Sequence, residues 1–297
     1  MEFIVGTSRY YSIVDYFWYE ESIPGEAYGG GKIPLLIQKG LDMLRITGFN
    51  RRNDNILYVG GGMPDITVKC KNGRYEEVIH QGEPETLVDT VVTQIREGAE
   101  RILATGTTPV FTTVCPMDIS IWNHHRLQCY KTSHLEYQHD YQDMQALHQQ
   151  TVELLNHEIN AINDSNGMRT PTVSKNVFQK KGAGLPYRLR TPRLQSDGCH
   201  LTPESTGEWI QILRDCMGVN RVQLYNKNSY GEAYPENFGV KPYIPSISYE
   251  ENFNESFELQ EMIDCERDLA CVQDGLHRTA VEAADFYRRN PHLFINY

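Results

Sequence analysis

The sequence predicts an α/β fold with a mostly parallel sheet, because apolar strand-like runs alternate with amphipathic helical runs. Residues 2–7 (EFIVGT) and 56–61 (ILYVGG) have the length and composition of buried strands. Between them, residues 33–47 carry apolar side chains at helical spacing. Sheets of this kind bind ligands beyond the carboxyl ends of their strands, so the functional residues are expected there.

The alternation continues to about residue 220 and then stops. The later elements are a helix over 85–104, a strand over 109–115, and helices over 135–163 and 203–217. Residues 225–258 are rich in Tyr, Asn and Glu with little periodicity, and residues 259–290 again have a helical pattern. The pattern therefore predicts an α/β domain over 1–221 and a C-terminal extension over 222–297.

Charge and composition exclude several classes of function. The 297 residues include 28 Lys and Arg against 39 Asp and Glu, a net charge of −11, so nucleic acid is not an expected partner. The N-terminus lacks the pattern of a secretory signal, and no apolar run approaches the roughly 18 residues of a membrane span. The seven cysteines are scattered and form no C-x-x-C pair, so the sequence indicates neither a zinc site nor a disulfide framework. Free thiols of this kind favour a reducing compartment, the cytoplasm or the nucleus.

A serine follows the first predicted strand at the expected ligand edge. In Gly6-Thr7-Ser8 the hydroxyl can lie at the N-terminus of the next helix, where backbone N–H groups stabilise a developing oxyanion. Ser8 can equally be a helix cap. A serine nucleophile needs a base and usually a carboxylate that orients the base, whereas a helix cap needs neither. The nucleophile interpretation is therefore favoured if such a pair exists elsewhere in the chain.

The pattern D-G-x-H occurs twice, at 197–200 and at 274–277. In the first copy Gly198 permits a tight turn that can bring the carboxylate of Asp197 to the imidazole of His200, and Pro203 can begin the next helix. The second copy continues directly into RTAVEA, a plain amphipathic helical pattern. We therefore expect the first copy to supply the acid–base pair and the second to be a helix within the extension.

Four stretches, in the same order as the family's blocks, resemble the SGNH or GDSL-type serine esterases and acylhydrolases. They are FIVGTSRY, AYGGGKIPLL, LYVGGGMPDIT and DGCHLT, and the resemblance covers about residues 1–218. It implies a flavodoxin-like three-layer α/β/α sandwich that cleaves an ester. In that family the glycine after the second strand donates its N–H to the oxyanion. The stretch NHEINAINDSNGMRTP also resembles esterase-like proteins encoded by some retrotransposons.

The resemblance implies a role for each matching residue. Ser8 would be the nucleophile, His200 the base, and Asp197 the carboxylate that orients the imidazole. Gly31, with Gly30 as its neighbour, would supply the oxyanion N–H. The substrate would be a small ester or acyl compound, with neither a metal nor another cofactor involved.

Two residues depart from the family pattern. Thr7 stands where the first block usually has Asp, and Pro64 stands where the third block has its catalytic Asn. Proline has neither a side-chain amide nor a backbone N–H. Loss of one oxyanion donor lowers kcat about 100- to 1000-fold. The sequence therefore predicts an esterase whose oxyanion hole is impaired unless Asn123 supplies the missing donor. The alternative is an inactive scaffold used for binding or assembly, with 222–297 as a surface for a protein partner.

Other motifs are weaker. The run Gly29-Gly30-Gly31-Lys32 does not complete a P-loop, because Ile33 follows the lysine. Four histidines at 124, 125, 134 and 139 lack metal-binding spacing and favour a polar surface. The aromatic run from Tyr10 to Tyr19 either packs under the sheet or forms the wall of an acyl pocket.

Overall fold

The computed structural model describes residues 1–46, 55–72, 75–80, 82–129, 141–180 and 187–228. The strands are β1 Glu2–Thr7, β2 Gly25–Tyr28, β3 Asn55–Gly60, β4 Val68–Asn72, β5 Tyr75–Ile79, β6 Thr107–Phe111, β7 Phe178–Lys180 and β8 Tyr187–Leu189. The α-helices are α1 Tyr11–Glu21, α2 Ile33–Ile46, α3 Pro84–Leu103, α4 Ile119–Cys129, α5 Tyr141–Ser165 and α6 Pro203–Asn228.

The central sheet is parallel, in the order β2-β1-β3-β6. β1 therefore has β2 on one side and β3 on the other, and the chain reverses its direction of winding between β1 and β3. Such a switch point opens a crevice at the carboxyl ends of the strands. The parallel sheet predicted from the sequence is confirmed.

Helices cover both faces of this sheet because its strands are apolar on both sides. On one face, Phe3 and Val5 of β1 pack with α2, α3 and α5. On the other face, Ile4 packs with α1 and α6. These three layers form the flavodoxin-like α/β/α sandwich that the family resemblance implied.

Side-chain amides of α5 replace a further strand beside β6. Asn163 accepts the N–H of Phe111 at 3.0 Å and donates to its carbonyl at 2.7 Å, and Asn156 does the same for Val114 at 2.6 and 3.0 Å. We call such a pairing of one asparagine with both backbone groups of one residue an amide bracket. Asn156 and Asn163 are two helical turns apart, and Phe111 and Val114 are three extended residues apart. Both separations are about 10 Å, so the two asparagines match the spacing of the two residues that they bracket.

The predicted strand 109–115 is therefore too long at its C-terminal end, since β6 ends at Phe111. Beyond that residue the N–H of Thr112 still donates to the carbonyl of Val59 in β3, whereas Thr113 bonds to Pro171 and Val114 is bracketed by Asn156 of α5. Gln145 continues the series, because it accepts the N–H of Ile119 at 2.9 Å and donates to the carbonyl of Met117 at 3.0 Å. Residues 113–118 are thus held by contacts outside the sheet.

Two further amide brackets fix elements that the sequence did not predict. Asn123 of α4 brackets Val78 of the β4–β5 hairpin at 2.8 and 2.7 Å. Asn220 of α6 brackets Arg169 at 2.6 and 3.0 Å. The helix α4 was missed because ISIWNHHRLQC has no apolar stripe at helical spacing.

The predicted C-terminal extension is described only in its first residues, 222–228, which continue α6. The rest of 222–297, with the second D-G-x-H at 274–277, lies outside the described residues. Within the described ranges, no helix is both long enough and apolar enough to cross a membrane.

Candidate active site

Ser8, His200 and Asp197 lie together at the carboxyl edge of the sheet. Ser8 directly follows β1 and begins the short 3₁₀ turn Ser8–Tyr10 that leads into α1. Its Oγ is 3.2 Å from Nε2 of His200, and Nδ1 of His200 is 2.5 Å from Oδ2 of Asp197. His200 is only 7% exposed, whereas Ser8 is half-buried. The three side chains form one continuous hydrogen-bonded chain.

The turn that carries Asp197 and His200 is closed by its own hydrogen bonds. Oδ1 of Asp197 accepts the N–H groups of Cys199 and His200 at 2.8 and 2.9 Å. The N–H of Gln195 donates to the carbonyl of His200 at 2.7 Å. Gly198 has a φ of +70°, and a Cβ there would lie 2.7 Å from Cβ of Ile121, so glycine is required at this position.

Asp197 is ionised at neutral pH. Burial raises the pKa of this carboxyl, but the hydrogen bond and charge of His200 and the two backbone N–H groups lower it by more, so that the pKa is about 2. An ionised Oδ2 can only accept, so Nδ1 of His200 carries a proton. In the neutral imidazole Nε2 is then the acceptor, and it faces the hydroxyl of Ser8.

The glycines expected to bind the oxyanion follow the neighbouring strand. Tyr28 of β2 pairs with Thr7 of β1, so the loop 29–31 lies beside Ser8 at the same edge. Gly30 is exposed, with a φ of +65°. Gly31 is buried, and its N–H donates to the carbonyl of Tyr28 at 3.2 Å. A role for Gly31 or Gly30 as an oxyanion donor stays a prediction.

Pro64 lies in the 3₁₀ turn Met63–Asp65 and is half-buried. The next residue, Asp65, accepts the N–H of Ile33 with both carboxylate oxygens at 3.1 Å, at the start of α2. Burial raises the pKa of Asp65 to about 6. Asp65 therefore joins the turn of Pro64 to the helix that follows Gly31, even though Pro64 itself has no hydrogen to donate.

Asn123 is not an exposed substitute donor. Its side chain is fully buried, and both ends of its amide bond to the backbone of Val78 in the β4–β5 hairpin. The adjacent Trp122 was not predicted as a site residue, yet its ring centroid is 6.1 Å from that of His200. No sequence motif marks this tryptophan, because α4 itself has no recognisable period.

The aromatic run after Ser8 is largely structural. Tyr10 and Phe17 belong to the core between the sheet and α6. The ring of Tyr10 crosses the ends of β1 and β3 at Gly6 and Gly60, where a Cβ would approach it to 2.3 and 2.0 Å respectively. Tyr19, near the end of the run, is exposed. Across the described ranges, no group of three or more His, Cys, Asp or Glu residues is arranged to hold a metal ion.

Arg9 is a second residue of the site that the sequence did not indicate. It follows Ser8, is 8% exposed, and donates through its guanidinium to the carbonyls of Cys115 and Pro116. The signal that could have marked it is a charged residue placed directly between the buried strand β1 and the apolar positions of α1.

No protein-family model matches the chain, and no curated protein matches it. Solved structures do resemble its fold. A candidate acylhydrolase from Bacteroides fragilis has a TM-score of 0.50 at 12% identity, over 74% of this chain and 87% of its own. A GDSL-like lipase from Bacteroides thetaiotaomicron has a TM-score of 0.45 at 14% identity, over 74% and 87%. The psychrotrophic esterase EstA from Pseudoalteromonas sp. has a TM-score of 0.43 at 8% identity, over 73% and 96%.

At these identities the likeness concerns the fold alone. The chain therefore has the three-layer α/β/α architecture of the Bacteroides fragilis protein.

Proposed function

We propose that this protein is a serine hydrolase of the SGNH type that cleaves a small ester by acyl transfer. The observation that carries the proposal is the chain of contacts from Ser8 Oγ through His200 to Asp197, at 3.2 and 2.5 Å. The four sequence blocks that resemble this family supply the same three residues, and the fold agrees with them.

In the proposed mechanism His200 acts first as a base. Nε2 takes the hydroxyl proton of Ser8 as Oγ attacks the ester carbonyl, which gives a tetrahedral intermediate with a negative oxygen. The ionised Asp197 stabilises the imidazolium that forms. His200 then returns the proton to the leaving alcohol, and water hydrolyses the acyl-enzyme by the same steps.

The oxyanion hole is the weak part of this mechanism. Ser8 stands at the N-terminus of the 3₁₀ turn and α1, where helix N–H groups favour negative charge. Gly31 or Gly30 would donate a second N–H, whereas Pro64 offers none. We therefore expect slow hydrolysis, with kcat about 100- to 1000-fold below that of an enzyme with the full set of donors.

Hydrolysis of short p-nitrophenyl esters and labelling by a fluorophosphonate probe test the proposal. The wild type should hydrolyse the ester and become labelled at Ser8, and Ser8→Ala should do neither. Equal rates of hydrolysis in the two proteins, with no label on Ser8, would exclude this serine from the reaction.

An inactive scaffold for binding or assembly is the second candidate, and Pro64 and Thr7 favour it. Thr7 gives no side-chain capping hydrogen bond to the 3₁₀ turn of Ser8. A folded wild type that the probe leaves unlabelled would support this alternative. A protein partner for 222–297, a cytoplasmic or nuclear setting and a place in the retrotransposon-encoded branch stay predictions.

A further inference from the structure

Arg9 joins three parts of the candidate site. Its Nη1 donates to the carbonyl of Cys115, and its Nη2 donates to the carbonyl of Pro116 at 3.1 Å and lies 3.5 Å from Sγ of Cys199. Cys199 stands between Asp197 and His200 in the turn, and Arg9 itself is bonded to Ser8 in the chain. One side chain thus links the residue next to Ser8 with the 115–116 segment and with the turn that carries Asp197 and His200.

The carbonyls that Arg9 binds belong to a fixed segment. Asn156 brackets Val114 on one side of Cys115, and Gln145 accepts and donates at Ile119 and Met117 on the other. The same segment supports the turn directly, since the N–H of Asp118 donates to the carbonyl of Gly198 at 2.8 Å. Arg9 therefore ties the end of β1 to a support that also holds the turn of His200.

Stability alone does not explain a charged residue at this place. Arg9 is almost fully buried, and within the described part of the chain no carboxylate lies at ion-pair distance from it. Its Nε has no hydrogen-bond partner there either. Burying a cation in this way is costly, and an apolar residue of similar volume would avoid the cost. Groups of this kind concentrate at functional sites.

We propose that Arg9 is a positioning residue, which holds Ser8 Oγ in line with Nε2 of His200. The inference rests on the proposed function, because it assigns Arg9 to the same serine mechanism. Only a guanidinium presents several N–H groups in a rigid fork, and here the fork reaches two carbonyls and a thiol at once. Arg9 does not itself contact the reacting atoms in this arrangement.

The test compares Arg9→Met and Arg9→Lys with Arg221→Met. Arg221 pairs with the buried Glu2 at the opposite end of β1, so its loss perturbs the same strand away from the site. The first readout is the second-order rate constant for fluorophosphonate labelling of Ser8, measured where circular dichroism shows each variant folded. The second is the ¹H NMR signal of the His200 Nδ1 proton, which reports the bond to Asp197 without any reaction.

We expect Arg9→Met to label about 10- to 100-fold more slowly than the wild type, since small displacements of reacting groups have effects of this size. The Nδ1 proton signal should weaken in the same variant. Arg9→Lys should recover part of the rate, because it keeps the charge and one donor. Arg221→Met should stay within about twofold of the wild type, because its site is distant.

Labelling of folded Arg9→Met within about twofold of the wild type, with an unchanged Nδ1 signal, would overturn the inference. An equal loss of rate in Arg221→Met would also overturn it, because the effect would then follow general stability. If Arg9→Met does not fold, Arg9→Lys is judged by the same two readouts. If the wild type is not labelled, the proposed function fails, and the Nδ1 signal alone then decides the role of Arg9.

Discussion

Replacing Asp197 with asparagine should remove most of the proposed activity while leaving the turn intact, because the turn fixes the direction of the new amide. Oδ1 of Asp197 accepts two N–H groups, from Cys199 and His200, at 2.8 and 2.9 Å. An asparagine must keep its oxygen there, since its NH₂ would oppose two donors. The NH₂ group then faces Nδ1 of His200, where Oδ2 now lies at 2.5 Å.

This amide reverses the tautomer of the imidazole. Nδ1 becomes the acceptor, so the proton moves to Nε2, which points at Ser8 Oγ across 3.2 Å. His200 can then no longer take the serine proton, and the charge that stabilises the imidazolium is lost as well. The same exchange in a serine protease lowers kcat about 10⁴-fold, or roughly 5 kcal/mol of transition-state stabilisation.

Asp118→Asn is the matched control for this prediction. Asp118 lies against the same turn through its N–H, but its carboxylate accepts the N–H of Ile121 at 2.9 Å and contacts no imidazole in the structure. Ester hydrolysis and probe labelling should fall about 10⁴-fold in Asp197→Asn and less than about threefold in Asp118→Asn. Activity in folded Asp197→Asn within about tenfold of the wild type would refute the proposed role of the carboxylate.

Three further substitutions test other features. Pro64→Asn should raise kcat by about 10- to 100-fold by restoring an oxyanion donor, whereas Pro64→Ala should leave kcat unchanged. Equal kcat values for these two variants in steady-state ester hydrolysis would contradict the prediction. Burial, with the charges of neighbouring His80 and Arg9, lowers the pKa of His148 from 6.5 to about 3. The neutral imidazole of His148 therefore contributes fully to the free energy of unfolding above pH 6.5, and this contribution is lost as the pH falls towards 3. Urea denaturation at several pH values should therefore give a flatter profile for His148→Gln, and parallel profiles would argue against it. Asn163→Ala should lose about 3 kcal/mol of unfolding free energy, because both backbone groups of Phe111 lose their partner. The control Asn160→Ala should lose less than about 1 kcal/mol, because the amide of Asn160 donates to the carbonyl of Asn156 within α5. Similar losses in the two variants would count against the role of the bracket.

The centre of the sheet could be predicted because β1 and β3 are buried on both faces. β1 and β3 are fully buried runs, and such runs are recognisable without knowing their neighbours. The end of β6 could not be predicted in this way. TTVC after Phe111 is as apolar and β-branched as a strand, but Val114 pairs with the amide of Asn156 and the N–H of Thr113 donates to the carbonyl of Pro171, both more than forty residues away in sequence.

The buried face of α5 was also missed because its partners are distant in sequence. Its asparagines have the pattern of solvent-facing residues in the sequence, yet Asn163 is buried against the last residue of β6 and Asn156 against the backbone just beyond it. Propensity and periodicity treat a polar side chain as exposed unless a partner is known. Sequence patterns therefore found the helix but not the surface it covers.

The contact between Asp197 and His200 was predictable because both residues lie in one short motif with a fixed spacing. Asp197, Gly198 and His200 need only a local turn, and Gly198 permits that turn. The proposed oxyanion donors are different, since they would be backbone N–H groups, whose direction depends on loop conformation. No residue type marks such a donor, and the N–H of Gly31 in fact points to the carbonyl of Tyr28.

The four amide brackets also restrict how this sequence can evolve. An apolar core accepts many exchanges of similar volume, because dispersion contacts have little directional requirement. A bracket requires one donor and one acceptor on a side chain of fixed length, so aspartate, leucine and the longer glutamine each fail at Asn123, Asn156, Asn163 and Asn220. Among buried positions, these polar ones should therefore tolerate the fewest substitutions, and the interior of the protein should vary least where it is least hydrophobic.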